Sequence, residues 1–231
     1  MAAASRDGGR GVSPTVHVGR QEADARGGRS GLAALRWVAE QGAVRADVLS
    51  HVLDPTQPGS RARTHRVLRA WRSAGLAEHA RRLADRPDVV RATAAGRRAV
   101  GLPGRAPPPS LGLLEHLHAV SLVRLGVERR GGRDWTSERT LYGERPGPEA
   151  HVADARFRTP SGVVTAVEVE LTAKGSRRLG AIVDELTVEY DRVLYVVDHA
   201  RIRAGVARAA TRVGVEDRVV IVDLAGFALP A

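Results

Sequence analysis

A proline-rich run near the middle of the chain, PGRAPPPS at residues 103–110, constrains the fold more than any other feature of the sequence. Proline lacks a backbone N–H and has a fixed φ, so neither a helix nor a central strand continues through such a run. We therefore predict a stiff linker at 103–110, which separates an N-terminal unit at 31–102 from a C-terminal unit at 111–231. Residues 1–30 are rich in Gly, Arg, Ala and Ser without apolar periodicity, and we predict a disordered basic tail there.

The charge of the chain indicates an anionic partner. The 36 Lys and Arg residues outnumber the 26 Asp and Glu residues, which gives a formal net charge of +10. Such a charge is typical of proteins that bind nucleic acid, although binding to a ribosome or to a membrane surface would favour it equally. Lys174 is the only lysine, and this preference for Arg also arises from the coding bias of a GC-rich genome. The positions of the arginines must therefore decide between a binding surface and a merely solvated one.

Several classes of protein are excluded by composition. The chain has no cysteine, which excludes disulfides, thiolate catalysis and cysteine-ligated zinc. No apolar run approaches the roughly 18 residues that would suggest a transmembrane helix, and no apolar export segment follows the first residues. We expect a cytoplasmic, nucleoid-associated protein with no membrane partner.

The N-terminal unit has the pattern of three short helices followed by a hairpin. The third helix, predicted over residues 61–74, has two faces at helical spacing. Its apolar face contains Thr64, Val67, Leu68 and Trp71, and its basic face contains Arg61, His65, Arg69 and Arg72. Two short extended runs at 76–82 and 89–93 follow, and a helical turn closes the unit.

This order of elements resembles a winged helix-turn-helix, which is mostly helical with a small wing. The segment VVRATAAGR at 89–97 is similar to the strand-to-helix exit that follows the wing in many bacterial regulators. In that family the third helix enters the major groove of DNA and the wing lies on the backbone or in the minor groove. The resemblance implies that the basic face of the third helix contacts DNA together with the wing residues Arg81, Arg82 and Arg86. A small helical module that binds protein, with solvated arginines, is the alternative.

The C-terminal unit has the element order α-β-β-β-α-β-α-β, which predicts a mixed α/β sheet. Two of its strands flank the turn TPSG at 159–162, where Gly162 suits the left-handed position of a three-residue loop. Such a loop would place Asp154 opposite Glu168. Because side chains alternate along a strand, Glu168 and Glu170 would share one face of the hairpin.

Three carboxylates on one face repel each other unless a metal ion or a basic side chain neutralises them. Oxygen ligands suit Mg²⁺ or Mn²⁺, which can polarise a phosphate and activate water. A solvated sheet face with surface carboxylates is the alternative interpretation of Glu168 and Glu170. For His116 the pattern favours a buried, hydrogen-bonded histidine over a metal ligand, and no second histidine lies at a zinc-site spacing from His151.

At these residues the chain resembles the PD-(D/E)XK superfamily, which has the restriction-endonuclease-like αβββαβ fold. Asp154 matches the first acidic position of the motif and Glu168 the second, whereas Glu170 replaces the usual lysine. The resemblance implies that Asp154, Glu168 and Glu170 bind Mg²⁺ or Mn²⁺ for phosphodiester hydrolysis. Lys174 would stand in for the missing lysine, and Glu115 would be an accessory acid.

Across the whole chain, a winged helix joined to this core resembles the replication-relaxation family of actinobacterial plasmids and integrative elements. The resemblance implies a DNA-binding protein of a mobile element that acts in replication, transfer or their control. Its partners would be DNA, a second copy of the chain, and replication or transfer proteins. The alternative is a regulator or scaffold without catalysis, whose nuclease-like unit serves dimerisation or partner binding and needs no metal.

Overall fold

The computed structural model describes residues 31–54, 59–80, 87–102, 108–144, 147 and 150–229. The predicted basic tail at 1–30, most of the predicted linker and the three predicted wing arginines (Arg81, Arg82 and Arg86) lie outside these residues. Among the described residues no helix combines the length and the apolar character needed to cross a membrane.

The N-terminal region consists of helices around a small antiparallel sheet. Its elements are α1 (Gly31–Gln41), β1 (Val44–Arg45), α2 (Ala46–Leu53), α3 (Arg61–Ser73), β2 (Ala77–Ala80), β3 (Val89–Ala92) and α4 (Ala94–Ala99). The strands lie in the order β1-β3-β2. The two-residue strand β1 was not predicted, because it is too short to show a period of two.

The bounds of α3 follow from its sequence. The hydroxyl of Ser60 accepts a hydrogen bond from the N–H of Arg63 and caps the helix start. Gly75 follows the helix end with a φ of 66°, in the left-handed region that favours glycine. Thr64, Leu68 and Trp71 are buried and Val67 packs against the same core, which confirms the predicted apolar face.

The C-terminal region is a five-stranded mixed sheet with helices on both faces. Its elements are α5 (Leu111–Arg129), β4 (Arg133–Ser137), α6 (Glu138–Glu144), β5 (Ala155–Arg158), β6 (Val164–Glu170), α7 (Ser176–Glu189), β7 (Arg192–Val197), α8 (Ala200–Val213) and β8 (Val219–Asp223), followed by a 3-10 turn at Leu224–Phe227. The strands lie in sequence order, with antiparallel pairs from β4 to β6 and parallel pairs from β6 to β8. Helix α5 packs on one face of the sheet, and α7 and α8 pack on the other. The predicted mixed α/β class is confirmed.

The strand predicted at residues 135–142 is too long. The sequence pattern predicts an extended segment from Trp135 to Tyr142, but β4 ends at Ser137 and α6 begins at the next residue. Ser137 pairs with Ala155, the first residue of β5, so no partner strand extends beyond this point. The chain therefore turns into a short helix, which buries Leu141.

Helix α5 connects the two regions. Its residues Leu122 and Leu125 belong to the core of the N-terminal region, whereas Val123 and Val127 belong to the core between α5 and the sheet. All residues from Ala119 to Val127 are buried. The two regions therefore share one helix.

Candidate functional site

The β5–β6 hairpin has the register predicted from the sequence. The N–H of Thr159 donates to the carbonyl of Val163 at 2.9 Å, and Gly162 has a φ of 93°. Ala155 is paired with Val167, so the next step of the same register places Asp154 opposite Glu168. The structure thus brings the first two predicted acidic residues together across the hairpin.

Asp154 is fixed by two hydrogen bonds. Its Oδ2 accepts the backbone N–H of Val169 at 2.7 Å, and its Oδ1 lies 2.8 Å from Nε2 of His116 on α5. Burial alone would lower the pKa of His116, but the hydrogen bond to Asp154 and its negative charge raise the pKa above the ordinary value. His116 thus has the predicted hydrogen-bond partner, a residue of the candidate site, but it is half-buried and lines a cleft rather than lying in the core.

Glu168 and Glu170 are both buried, with 3% of each residue exposed, and they share one cation. Nζ of Lys174 lies 3.4 Å from Oε1 of Glu168 and also contacts Oε2 of Glu170. Burial would lower the pKa of Lys174, but the two carboxylates raise it, so the ammonium group stays charged. Lys174 therefore gives the pair of glutamates one compensating positive charge from within the chain.

His151 contacts the other carboxylate oxygen of Glu168. Its Nε2 lies 3.1 Å from Oε2 of Glu168, and its backbone N–H donates to Oε2 of Glu185 at 2.9 Å. Burial and the charge of Asp154 raise the pKa of Glu168, although His151 and Lys174 oppose this shift. The pKa of His151 is raised in turn by Glu168, against the effect of burial.

A tyrosine lies beside the buried glutamates on the neighbouring strand. Tyr195 on β7 is paired with Glu168 and is fully buried. Its hydroxyl has no hydrogen-bond partner among the described residues. Burial and the nearby carboxylates raise its pKa, so the phenol stays neutral.

The acidic side chains and Lys174 line one cleft between α5, α6 and α7. Glu115, the predicted accessory acid, lines this cleft together with Asp154, Glu168, Glu170 and Lys174. Arg178 on α7 and Tyr142 on α6 also line it. The structure therefore collects all the acidic residues predicted for the nuclease-like site.

The side chains of this cleft, in the positions that the structure gives them, do not form a site for Mg²⁺ or Mn²⁺. Among the described residues no three His, Asp or Glu side chains are grouped so that they could hold a metal ion. Both oxygens of Asp154 and both of Glu168 already have partners, and Lys174 occupies the space between the glutamates. The side chains of the protein itself supply the positive charge that the carboxylates need.

The predicted basic face of α3 is exposed in the structure. Arg61, His65, Arg69 and Arg72 are exposed, as is Arg66, and we call these five residues the α3 basic face. None of them forms an ion pair with a carboxylate of the described residues. By contrast, Arg63 on the same helix pairs with Asp54 at 2.8 Å and has a structural role.

Sequence reasoning did not assign either histidine to the site. His116 precedes Asp154 by 38 residues, so only the packing of α5 on the sheet reveals their contact. His151 lies close to Asp154 in sequence, and this proximity was the one signal that could have suggested a role.

No protein-family model matches the chain, and no curated protein has significant similarity to it.

Proposed function

We propose that the chain is a DNA-binding protein of a mobile element, acting in replication, transfer or their control, in the manner of the replication-relaxation family. Its N-terminal region would be a winged helix-turn-helix. The order α1-β1-α2-α3-β2-β3 and the small antiparallel sheet support this assignment. In such a unit α3 would enter the major groove.

The α3 basic face is the observation that carries this proposal. Helix α3 contains five arginines and no carboxylate in 13 residues. Its apolar face is buried in the core of the N-terminal region, so the opposite face is available to a partner. Arginines crowded on one helix repel each other in the free protein, and phosphate groups would relieve this repulsion.

For the C-terminal region we propose a restriction-endonuclease-like core that does not catalyse hydrolysis. The order α5-β4-β5-β6-α7-β7 supports the αβββαβ fold, with α6 inserted after the first strand. The ion pair with Lys174 and the contacts of His116 and His151 with the carboxylate oxygens support the non-catalytic alternative. Such a core would serve dimerisation or the binding of replication or transfer proteins.

Metal-dependent DNA hydrolysis is the second candidate function, and the position of Asp154 opposite Glu168 favours it. The two candidates differ in metal binding. We expect calorimetry to detect no binding of Mn²⁺ to the wild-type protein, and nicking assays to detect no Mn²⁺-dependent cleavage. Binding or cleavage that Asp154→Asn abolishes would establish the catalytic candidate instead.

Removing positive charges from α3 tests the proposal that this helix binds DNA. Binding of DNA weakens as salt rises, so a plot of the logarithm of the binding constant against the logarithm of salt concentration has a negative slope. The triple variant Arg61→Gln, Arg69→Gln, Arg72→Gln should make this slope shallower by about three units, since each phosphate contact contributes about 0.9. Fluorescence anisotropy with a labelled duplex measures this slope. The matched control Arg63→Gln removes a charge from the same helix at a residue paired with Asp54, and it should leave the slope nearly unchanged. An unchanged slope in the triple variant would exclude α3 from DNA binding.

A further inference from the structure

Helix α8 presents a second basic surface, separate from α3. The helix contains four arginines and no carboxylate in 14 residues. Arg203 has a structural role, since it pairs with Asp223 at 2.8 Å and donates to the carbonyl of Ile221 at 2.9 Å. Arg201, Arg208 and Arg212 are exposed and form no ion pair among the described residues, and we call them the α8 stripe.

The three arginines lie along one line of the helix. At 100° per residue, the spacing i, i+7, i+11 keeps all three within about 40° of each other. With a rise of about 1.5 Å per residue, the α8 stripe is about 16 Å long, the axial rise of about five base pairs of DNA. Ile202, Val206 and Ala209 are buried on another face of the helix, so their packing fixes the direction of the stripe.

The α8 stripe continues onto the start of α7. Nη1 of Arg212 donates to the carbonyl of Ser176 at 3.3 Å, so the end of the stripe lies beside the first turn of α7. That turn contributes the exposed residues Arg177 and Arg178. Arg178 lines the cleft described above together with Lys174.

The path from α8 to the first turn of α7 is thus rich in positive charge. The N-terminus of α7 adds to it, because Gly175 at the N-cap has no side chain to cap the first N–H groups. The exposed carboxylates on α7 are Asp184, Glu185 and Glu189, and they occur only from the third turn onwards. Such a path matches a regularly spaced row of anions better than a single acidic residue.

We propose that the α8 stripe and the first turn of α7 bind the phosphate backbone of DNA. The proposal rests on the proposed DNA-binding function and assigns a second contact surface to it. Arginine side chains that form no ion pair suit phosphate oxygens, which accept their N–H groups in pairs. The contact does not depend on base sequence, because its residues reach the backbone of DNA.

The test compares two double variants of the full chain. Arg201→Gln with Arg208→Gln removes two charges of the stripe and leaves the Arg212 hydrogen bond intact. Arg133→Gln with Arg192→Gln removes two exposed charges from strands β4 and β7 and is the matched control. With a labelled 40-base-pair duplex, the slope of the binding constant against salt concentration on logarithmic axes should become shallower by about two units in the stripe variant. The control should not change this slope.

Each outcome of this test has a defined meaning. If the stripe variant keeps its slope while the α3 triple variant loses affinity, the α8 proposal is overturned and the winged-helix proposal stands. If the wild type does not bind the duplex, both proposals fail. An equal loss in the control shows an effect of net charge alone and also overturns the proposal. The proposal is also overturned if the stripe variant binds DNA normally but no longer binds phosphatidylserine vesicles, since the surface then binds a membrane.

Discussion

Replacing Arg124 with methionine should destabilise the protein by about 3–5 kcal/mol, because the change removes the buried cation that two partly buried carboxylates share. Arg124 is 4% exposed, and it donates to Glu40 at 2.7 Å and to Glu128 at 2.9 Å. Its guanidinium also lies 4.6 Å from the ring centroid of Trp37, which connects α5 to α1. Chemical denaturation monitored by tryptophan fluorescence measures the loss.

Arg36 provides a matched control for this prediction. It pairs with the same carboxylate, that of Glu40, at 2.9 Å, but 60% of its side chain is exposed. Arg36→Met should therefore cost only about 0.5 kcal/mol. A comparable cost for the two variants would show that burial of the Arg124 network is not what stabilises the contact between the two regions.

Replacing Lys174 with methionine should have the second-largest effect, about 3 kcal/mol at pH 7, because Glu168 and Glu170 would stay buried without their shared cation. The loss should depend on pH. Without Lys174 the pKa of Glu168, already raised by burial and by Asp154, rises further above its unfolded value. A carboxyl group with a raised folded pKa favours the folded state at low pH, and this advantage disappears as the pH rises through the folded pKa.

The difference in unfolding free energy between wild type and Lys174→Met should therefore be small near pH 4.5 and large near pH 7. Adding Glu170→Gln to the variant should recover part of the loss, since one of the two uncompensated charges is then removed. A loss that is independent of pH would mean that Lys174 acts through packing of its alkyl chain. Restoration of stability by Mn²⁺ would favour the catalytic candidate, because a metal ion would then replace the ammonium group.

The sequence predicts those parts of the fold that short-range rules determine. The turn at Gly162 and the alternation along β6 define the hairpin register, so the position of Asp154 opposite Glu168 could be predicted without a structure. The two faces of α3 follow from helical spacing in the same way. The helix α6 could not be predicted, because it begins where β4 loses its partner strand.

The composition of the candidate site was less predictable than its position. Repulsion between carboxylates requires a compensating cation, but this rule does not distinguish a metal ion from a side chain. Lys174 supplies that charge only because the chain turns back after β6 towards Glu168. His116 and Asp154 are 38 positions apart in the sequence, and Arg124 and Glu40 are 84 positions apart. No local sequence pattern predicts such contacts.

The shared helix α5 has a consequence for the way the chain unfolds. Because Leu122 and Leu125 fill one core while Val123 and Val127 fill the other, neither core remains complete when α5 detaches. The loss of α5 would expose apolar surface on both sides at once, so the two regions should melt in a single cooperative transition. A fragment that begins at residue 108 would carry Leu122 and Leu125 uncovered, and such a stripe favours self-association. Engineered truncations of this protein should therefore keep the N-terminal region and α5 together in one chain.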